Sequence, residues 1–282
     1  MKNTELKALI SLLDDPDKDV LASVQQRILE QGKSVLPELE SSLSLDDSKI
    51  ARHRIADLIT QLRDSDAQNE LDEWLANNGK DTLKGMYCTA KFIFPEINYS
   101  AVNQQFTEIL AAVQSQIKDE YSALEKVKVV NKTLFKKYKF KNNFLLDYDT
   151  TGHFIHLVLE QRKINSISLV LLYLCFAERL NIAMKVITLP NNFILFCDEK
   201  FYINPALDGE IFGQQKLMPD MPETPMKSIA SADVPCSDSV MMLFHLTRAL
   251  REIYDKEDKP ALMQQIDAAI QALAAQMEIA YP

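Results

Sequence analysis

Apolar residues recur at helical spacing from the start of the chain. Leu6, Leu9, Ile10, Leu12 and Leu13 form one stripe. Asp14-Asp15-Pro16-Asp17 interrupts it, and a proline among carboxylates suits the start of another helix. Val20, Leu21, Val24, Ile28 and Leu29 form a second stripe, and Gly32 stands where a helix end calls for positive φ. Val35, Leu36, Leu39 and Leu43 predict a third helix, and Ile50, Ile55, Leu58, Ile59 and Leu62 a fourth.

From 69 to 130 the pattern stays helical. Leu71, Trp74 and Leu75 come first, then a segment through Met86, Tyr87, Phe92 and Phe94 that Pro95 ends. Phe106, Ile109, Leu110, Val113 and Ile117 follow, and a further helix is predicted over 167–180. Strand-like segments lie at 185–189, 193–198 and 200–203, with Asp198-Glu199-Lys200 as a hairpin turn between the last two. Pro219, Pro222 and Pro225 mark a linker before two closing helices at 239–254 and 260–280. This order predicts an α+β fold, predominantly helical, with a small antiparallel sheet packed on a helix.

Composition narrows the classes of partner. The 282 residues are 47% hydrophobic and 25% charged, as in an ordinary globular protein. A net charge of −9 disfavours general attraction to nucleic acid or anionic membranes. The longest apolar run, 167–177, is shorter than the roughly 20 residues a bilayer requires. With no apolar signal core at the start, the chain is expected to be cytoplasmic. Cys88, Cys175, Cys197 and Cys236 lie far apart, so free thiols are expected rather than a zinc site or disulfides.

Several strings follow one another in a defined order. They are Leu83-Lys84-Gly85-Met86 with Phe94-Pro95-Glu96, then Leu134-Phe135 and Tyr138-Lys139-Phe140-Lys141-Asn142. The densest runs from Phe154-Ile155-His156-Leu157 through Gln161-Arg162, Ile167-Ser168-Leu169 and Leu172-Tyr173 to Ala177-Glu178-Arg179-Leu180-Asn181-Ile182. Leu189-Pro190-Asn191-Asn192-Phe193-Ile194 and Tyr202-Ile203-Asn204-Pro205 complete the series. In this order and spacing the strings resemble the SirB family of the transglutaminase-like superfamily. The string from Leu12 to Val20 also resembles the turn of a HEAT-type repeat, a unit that buries one face by stacking. Together these resemblances imply a HEAT-like helical arm over 1–66, a transglutaminase-like domain over 67–215, and a linker with a helical pair over 216–282.

The parent fold implies papain-like acyl chemistry. A cysteine thiolate is favoured at a helix N-terminus, a histidine takes its proton, and an aspartate orients the imidazole. Alignment with the resembling pattern puts Ser166 at the cysteine position, or Ser168 if the register slips. It puts Asn192 at the histidine position and Asn204 at the aspartate position. Ile164 and Ser166 stand where the pattern has glycine and proline, so the loop entering the helix is expected to be reshaped. A carboxamide accepts no proton near neutral pH, so this triad predicts no acyl transfer or proteolysis.

Replacement groups are scarce. Cys175 and Cys197 read as core thiols, and Asp208 before Gly209 reads as a turn residue. His153 and His156, three apart, would share a helical face, but no third ligand is near, so no metal site and no cofactor are expected. His53 and His245 stand alone. Lys132, Lys136, Lys137, Lys139 and Lys141 alternate with Phe135, Tyr138 and Phe140, a pattern that can bind nucleic acid but also fits a solvated helix end over core aromatics. The sequence favours a non-catalytic module that binds a protein, peptide or small polar ligand through Ser166, Ser168, Asn192 and Asn204. The alternative is a divergent hydrolase using Ser166 or Ser168 with His153 or His156 as base.

Overall fold

The computed structural model describes residues 3–45, 48–142, 150–189, 192–198, 200–213 and 238–281. Contacts divide the chain into two compact units, Met1–Glu70 and Leu71–Pro282. The fold is α+β and predominantly helical, as the sequence pattern predicts. The linker prolines and Cys236 lie outside the described residues.

In the first unit, α1 (Asn3–Ser11) continues into a 3-10 turn, Leu12–Asp14. The Asp17 side chain then starts α2 (Lys18–Leu29) by accepting from the Asp19 and Val20 amides. Gly32 takes φ +62°, the left-handed conformation its position implied. After it come α3 (Leu36–Leu45) and α4 (Lys49–Ala76), of which the part up to Glu70 belongs to this unit. The apolar stripes meet in one core of Leu6, Ile10, Leu13, Val24, Ile28, Leu39, Ile55, Leu58 and neighbours. Arg54 Nη1 donates to the Leu13 and Asp15 carbonyls at 2.6 and 3.1 Å, so the acidic turn is fastened to α4.

The helix α4 runs unbroken past residue 66. The polar stretch Arg63-Asp64-Ser65-Asp66 contains no glycine or proline, so nothing in it stops a helix.

The second unit is built around α9 (Ser166–Leu180), which is buried almost throughout its length. A helix apolar on all sides needs neighbours on all sides. They include α5 (Thr82–Lys91), α10 (Asp238–Lys256) and the sheet. Further helices are α6 (Tyr99–Gln114), α7 (Ala123–Asn131), α8 (Ile155–Gln161) and α11 (Pro260–Gln276). Helix α7 runs on into a wide π-helical turn, Lys132–Lys137. Among the described residues, no helix is long and apolar enough to cross a membrane.

A two-residue parallel ribbon pairs β1 (Lys141–Asn142) with β2 (Lys163–Ile164). The main sheet is an antiparallel meander of β3 (Met184–Leu189), β4 (Asn192–Cys197), β5 (Phe201–Asn204) and β6 (Glu210–Phe212). Phe196, Tyr202 and Phe212 are cross-strand partners, and their rings stack at 4.8 and 5.7 Å.

Polar contacts inside this unit join distant parts of the chain. Glu178 on α9 accepts from the Thr82 amide at 3.1 Å and from the Thr82 hydroxyl at 2.5 Å, while that hydroxyl lies 2.6 Å from Ser239. Buried Tyr173 donates to Asn131 at 2.6 Å, and Asn131 donates to the Gly209 carbonyl at 2.6 Å. Gly209 has φ +71°, and a Cβ there would collide with the Tyr173 hydroxyl.

Candidate functional site

The start of α9 is set by one amide side chain. Asn165 Oδ1 accepts from the Ser168 amide at 2.8 Å, an N-cap, while its Nδ2 donates to the Gly152 carbonyl at 3.0 Å. The backbone passes close here, since a Cβ on Gly152 would sit 3.0 Å from the Asn165 nitrogen. Ile164, where the resembling pattern has glycine, is buried in β2 opposite Asn142. The loop into α9 thus begins as a strand, and that strand brings Asn142 beside the helix end.

Ser166 is the first helical residue, and its Oγ accepts from Asn142 Nδ2 at 3.3 Å. The same Nδ2 reaches the Ala206 carbonyl at 3.4 Å. Ser168 is fully buried, and among the described residues its Oγ has no hydrogen-bond partner. Among the described residues, neither serine hydroxyl is bonded to a histidine.

At the sheet end, Asn192 opens β4 and Asn204 closes β5. Asn192 Nδ2 donates to Asn204 Oδ1 at 3.3 Å, and Asn192 Oδ1 accepts from the Phe193 amide at 2.8 Å. Asn204 Oδ1 also accepts from the Ala206 amide at 3.1 Å, capping the 3-10 turn Pro205–Leu207. Hydrogen bonds therefore link Ser166, Asn142, Ala206, Asn204 and Asn192 in one chain. Asn142 was not singled out as a site residue from the sequence. Its signal was that it alone carries an amide in the string Tyr138-Lys139-Phe140-Lys141-Asn142.

Beside this chain lies a cavity of about 210 Å³. Leu189, Ile194, Leu207 and Phe212 form its apolar wall, and Asn192, Asn204 and Glu210 supply polar atoms. Ser166 is not part of its lining. Leu207 is largely exposed at 56%. The site so built holds three carboxamides and a hydroxyl, groups that donate and accept hydrogen bonds without carrying charge, with the Glu210 carboxyl in the cavity lining beside them.

The other candidate groups are held elsewhere. Cys175 and Cys197 are buried free thiols, and Cys88 is buried as well. Burial pushes the Cys197 thiol up to about 12 and raises Cys175 well above its ordinary range, which disfavours the nucleophilic thiolate. Asp208 is a left-handed turn residue after the Pro205–Leu207 turn. His153 ends a 3-10 turn, Thr150–His153, while His156 lies in α8. Extended Phe154 separates them, so the two histidines do not share the helical face their spacing suggested. His156 packs edge-on against Phe94 at 4.7 Å, and burial pushes its pKa down despite nearby Glu160. His245 rests 5.1 Å from the Phe193 ring, its pKa lowered by burial and by Arg248. His53 is exposed and 3.6 Å from Asp57. Among the described residues, no cluster of three or more histidine, cysteine, aspartate or glutamate side chains is placed to hold a metal.

Residues 100–229 match the family model described as the transglutaminase-like superfamily, a span that includes α9, the sheet and every residue of the amide chain. A transglutaminase-like domain is thus present in the second unit. No curated protein and no solved structure matches this chain.

Proposed function

We propose that this protein is a SirB-type transglutaminase-like module that carries out no acyl transfer and binds a protein segment or small polar ligand at its amide-lined cavity. The observation that carries this reading is the bond between Asn192 and Asn204, at the positions the resemblance assigns to the base and its orienting carboxylate. A carboxamide pair cannot take a proton from a nucleophile near neutral pH. Among the described residues, the side chain that bonds the Ser166 hydroxyl is a third carboxamide, Asn142. A hydrolase built on Ser166 or Ser168 would need a base at one of those hydroxyls, and no such contact supports it.

On this reading the ligand sets an apolar part against Ile194 and Phe212 and a hydrogen-bonding group on the amides, and the Glu210 carboxylate in the lining disfavours an anionic group there. The protein acts in the cytoplasm, needs no cofactor or metal, and binds neither membrane nor nucleic acid through this site. The first unit serves as a HEAT-like arm.

The test pairs a binding and an activity measurement. The intact protein and its Asn192→Arg and Ser166→Arg variants are used for affinity capture from native cytosol, with folding checked by circular dichroism. A partner retained by the parent and lost from Asn192→Arg supports the cavity as its site. In parallel, ester and amide hydrolysis is compared between the parent and Ser166→Ala. Turnover by the parent that Ser166→Ala abolishes would refute the non-catalytic reading.

A further inference from the structure

Residues 126–142 contain seven lysines and no acidic residue, in a chain whose net charge is −9. The rest of the chain is therefore more acidic than the whole. Lys126 serves the fold, donating from Nζ to the Leu180 carbonyl at 3.1 Å. The other six, Lys128, Lys132, Lys136, Lys137, Lys139 and Lys141, are exposed. Among the described residues, none of the six is in an ion pair.

The backbone gathers these charges. Lys128, Lys132 and Lys136 recur every four residues along α7 and the wide turn that extends it, so they share a face. Lys141 stands opposite Lys163 across the β1–β2 ribbon, and both are exposed. Glu125, one turn before Lys128 on α7, offsets that first charge in part, whereas residues 129–142 carry no carboxylate. Like charges set side by side repel, and such a stripe attracts an anion.

The neighbouring aromatics decide which anion. Phe140 is buried, and Phe135 is half-buried. The Tyr138 ring already carries Arg162 at 5.2 Å and Lys137 at 5.6 Å, and Arg162 also lies 5.2 Å from the Phe140 ring. These rings are engaged by the protein's own cations, so they offer no platform on which bases stack. The exposed cations are point charges on flexible stems, without the guanidinium fork that reads phosphate in two contacts. Carboxylates spaced along a peptide suit them. A nucleic acid longer than the stripe would run onto the acidic remainder of the surface.

We propose that this lysine stripe, from Lys128 through Lys141, is a docking surface for an acidic segment of a partner polypeptide. It is independent of what the amide cavity binds.

Fluorescent deca-glutamate, titrated into the full chain at low salt and followed by anisotropy, tests it. Saturable binding that weakens with added salt is expected. The variant Lys132→Glu/Lys136→Glu/Lys139→Glu/Lys141→Glu, all exposed positions, should weaken it by about tenfold or more. The pair Lys18→Glu/Lys49→Glu in the other unit should leave it unchanged. Circular dichroism confirms that each variant is folded. Absence of binding, or equal loss in both variants, overturns the proposal. Tighter binding of short single-stranded DNA that displaces the peptide also overturns it, in favour of nucleic acid. Capture of the chain by phosphatidylserine vesicles that the peptide cannot reverse overturns it in favour of a lipid surface.

Discussion

In the unit Met1–Glu70, aliphatic side chains form the core, while the polar contacts described sit at turns: Asp17 caps α2, and Arg54 holds the carbonyls of Leu13 and Asp15. In the unit Leu71–Pro282, polar side chains also meet inside the core, as with buried Thr82 and Ser239 beside Glu178, or buried Tyr173 with Asn131 and Gly209. The first unit is specified mainly by where its leucines and isoleucines recur. The second also depends on a few donors and acceptors meeting at defined places. A buried polar group costs free energy unless its partner is present, so such contacts fix one arrangement and penalise others.

Truncation of an apolar side chain in the first unit should give the largest effect. Ile55→Ala, at a fully buried position, should destabilise that unit by about 2–5 kcal/mol, read from urea denaturation. A smaller loss would mean that the aliphatic core is not what holds it. In the second unit, Tyr173→Phe removes only a hydroxyl, yet leaves Asn131 Oδ1 without its donor. It should cost about 1–3 kcal/mol by the same measurement, and a neutral result would break the contrast between the two units.

The smallest effect concerns Asp238, which accepts from the Val186 amide at 2.8 Å. Burial raises its carboxyl above the ordinary range, against the lowering influence of that bond and of Lys185. The folded protein therefore holds this proton more tightly than the unfolded chain does. The resulting stabilisation is fully present below the unfolded carboxylate pKa and is lost as pH rises through the raised one. Asp238→Asn keeps an acceptor but does not titrate, so melting temperature should depend less on pH over that window. An unchanged profile would show that the carboxyl is not held in this way.

The two units were not equally legible from sequence. Periodicity located the helical stripes of the first, and Gly32 and Asp17 marked their ends through local chemistry. It also found α9, the first three strands of the sheet and the closing helices. It missed β6, three residues long, and the two-residue β1 and β2, which are too short for any period to show. The meeting of Asn192 and Asn204 followed from neighbouring strands. The approach of Asn142 to Ser166 did not, because it depends on a ribbon pairing residues 22 apart in sequence, Lys141 with Lys163. The spacing of His153 and His156 misled for a local reason, since a helix begins between them at Phe154.

One consequence of the Asp238 contact concerns association. Strand β3 is at the rim of the sheet, and its Val186 amide points away from β4. An unfilled amide there would invite another chain to add a strand, the first step of edge-to-edge aggregation. With that donor already taken by a carboxylate, an incoming strand would have to displace Asp238 before it could pair at this position.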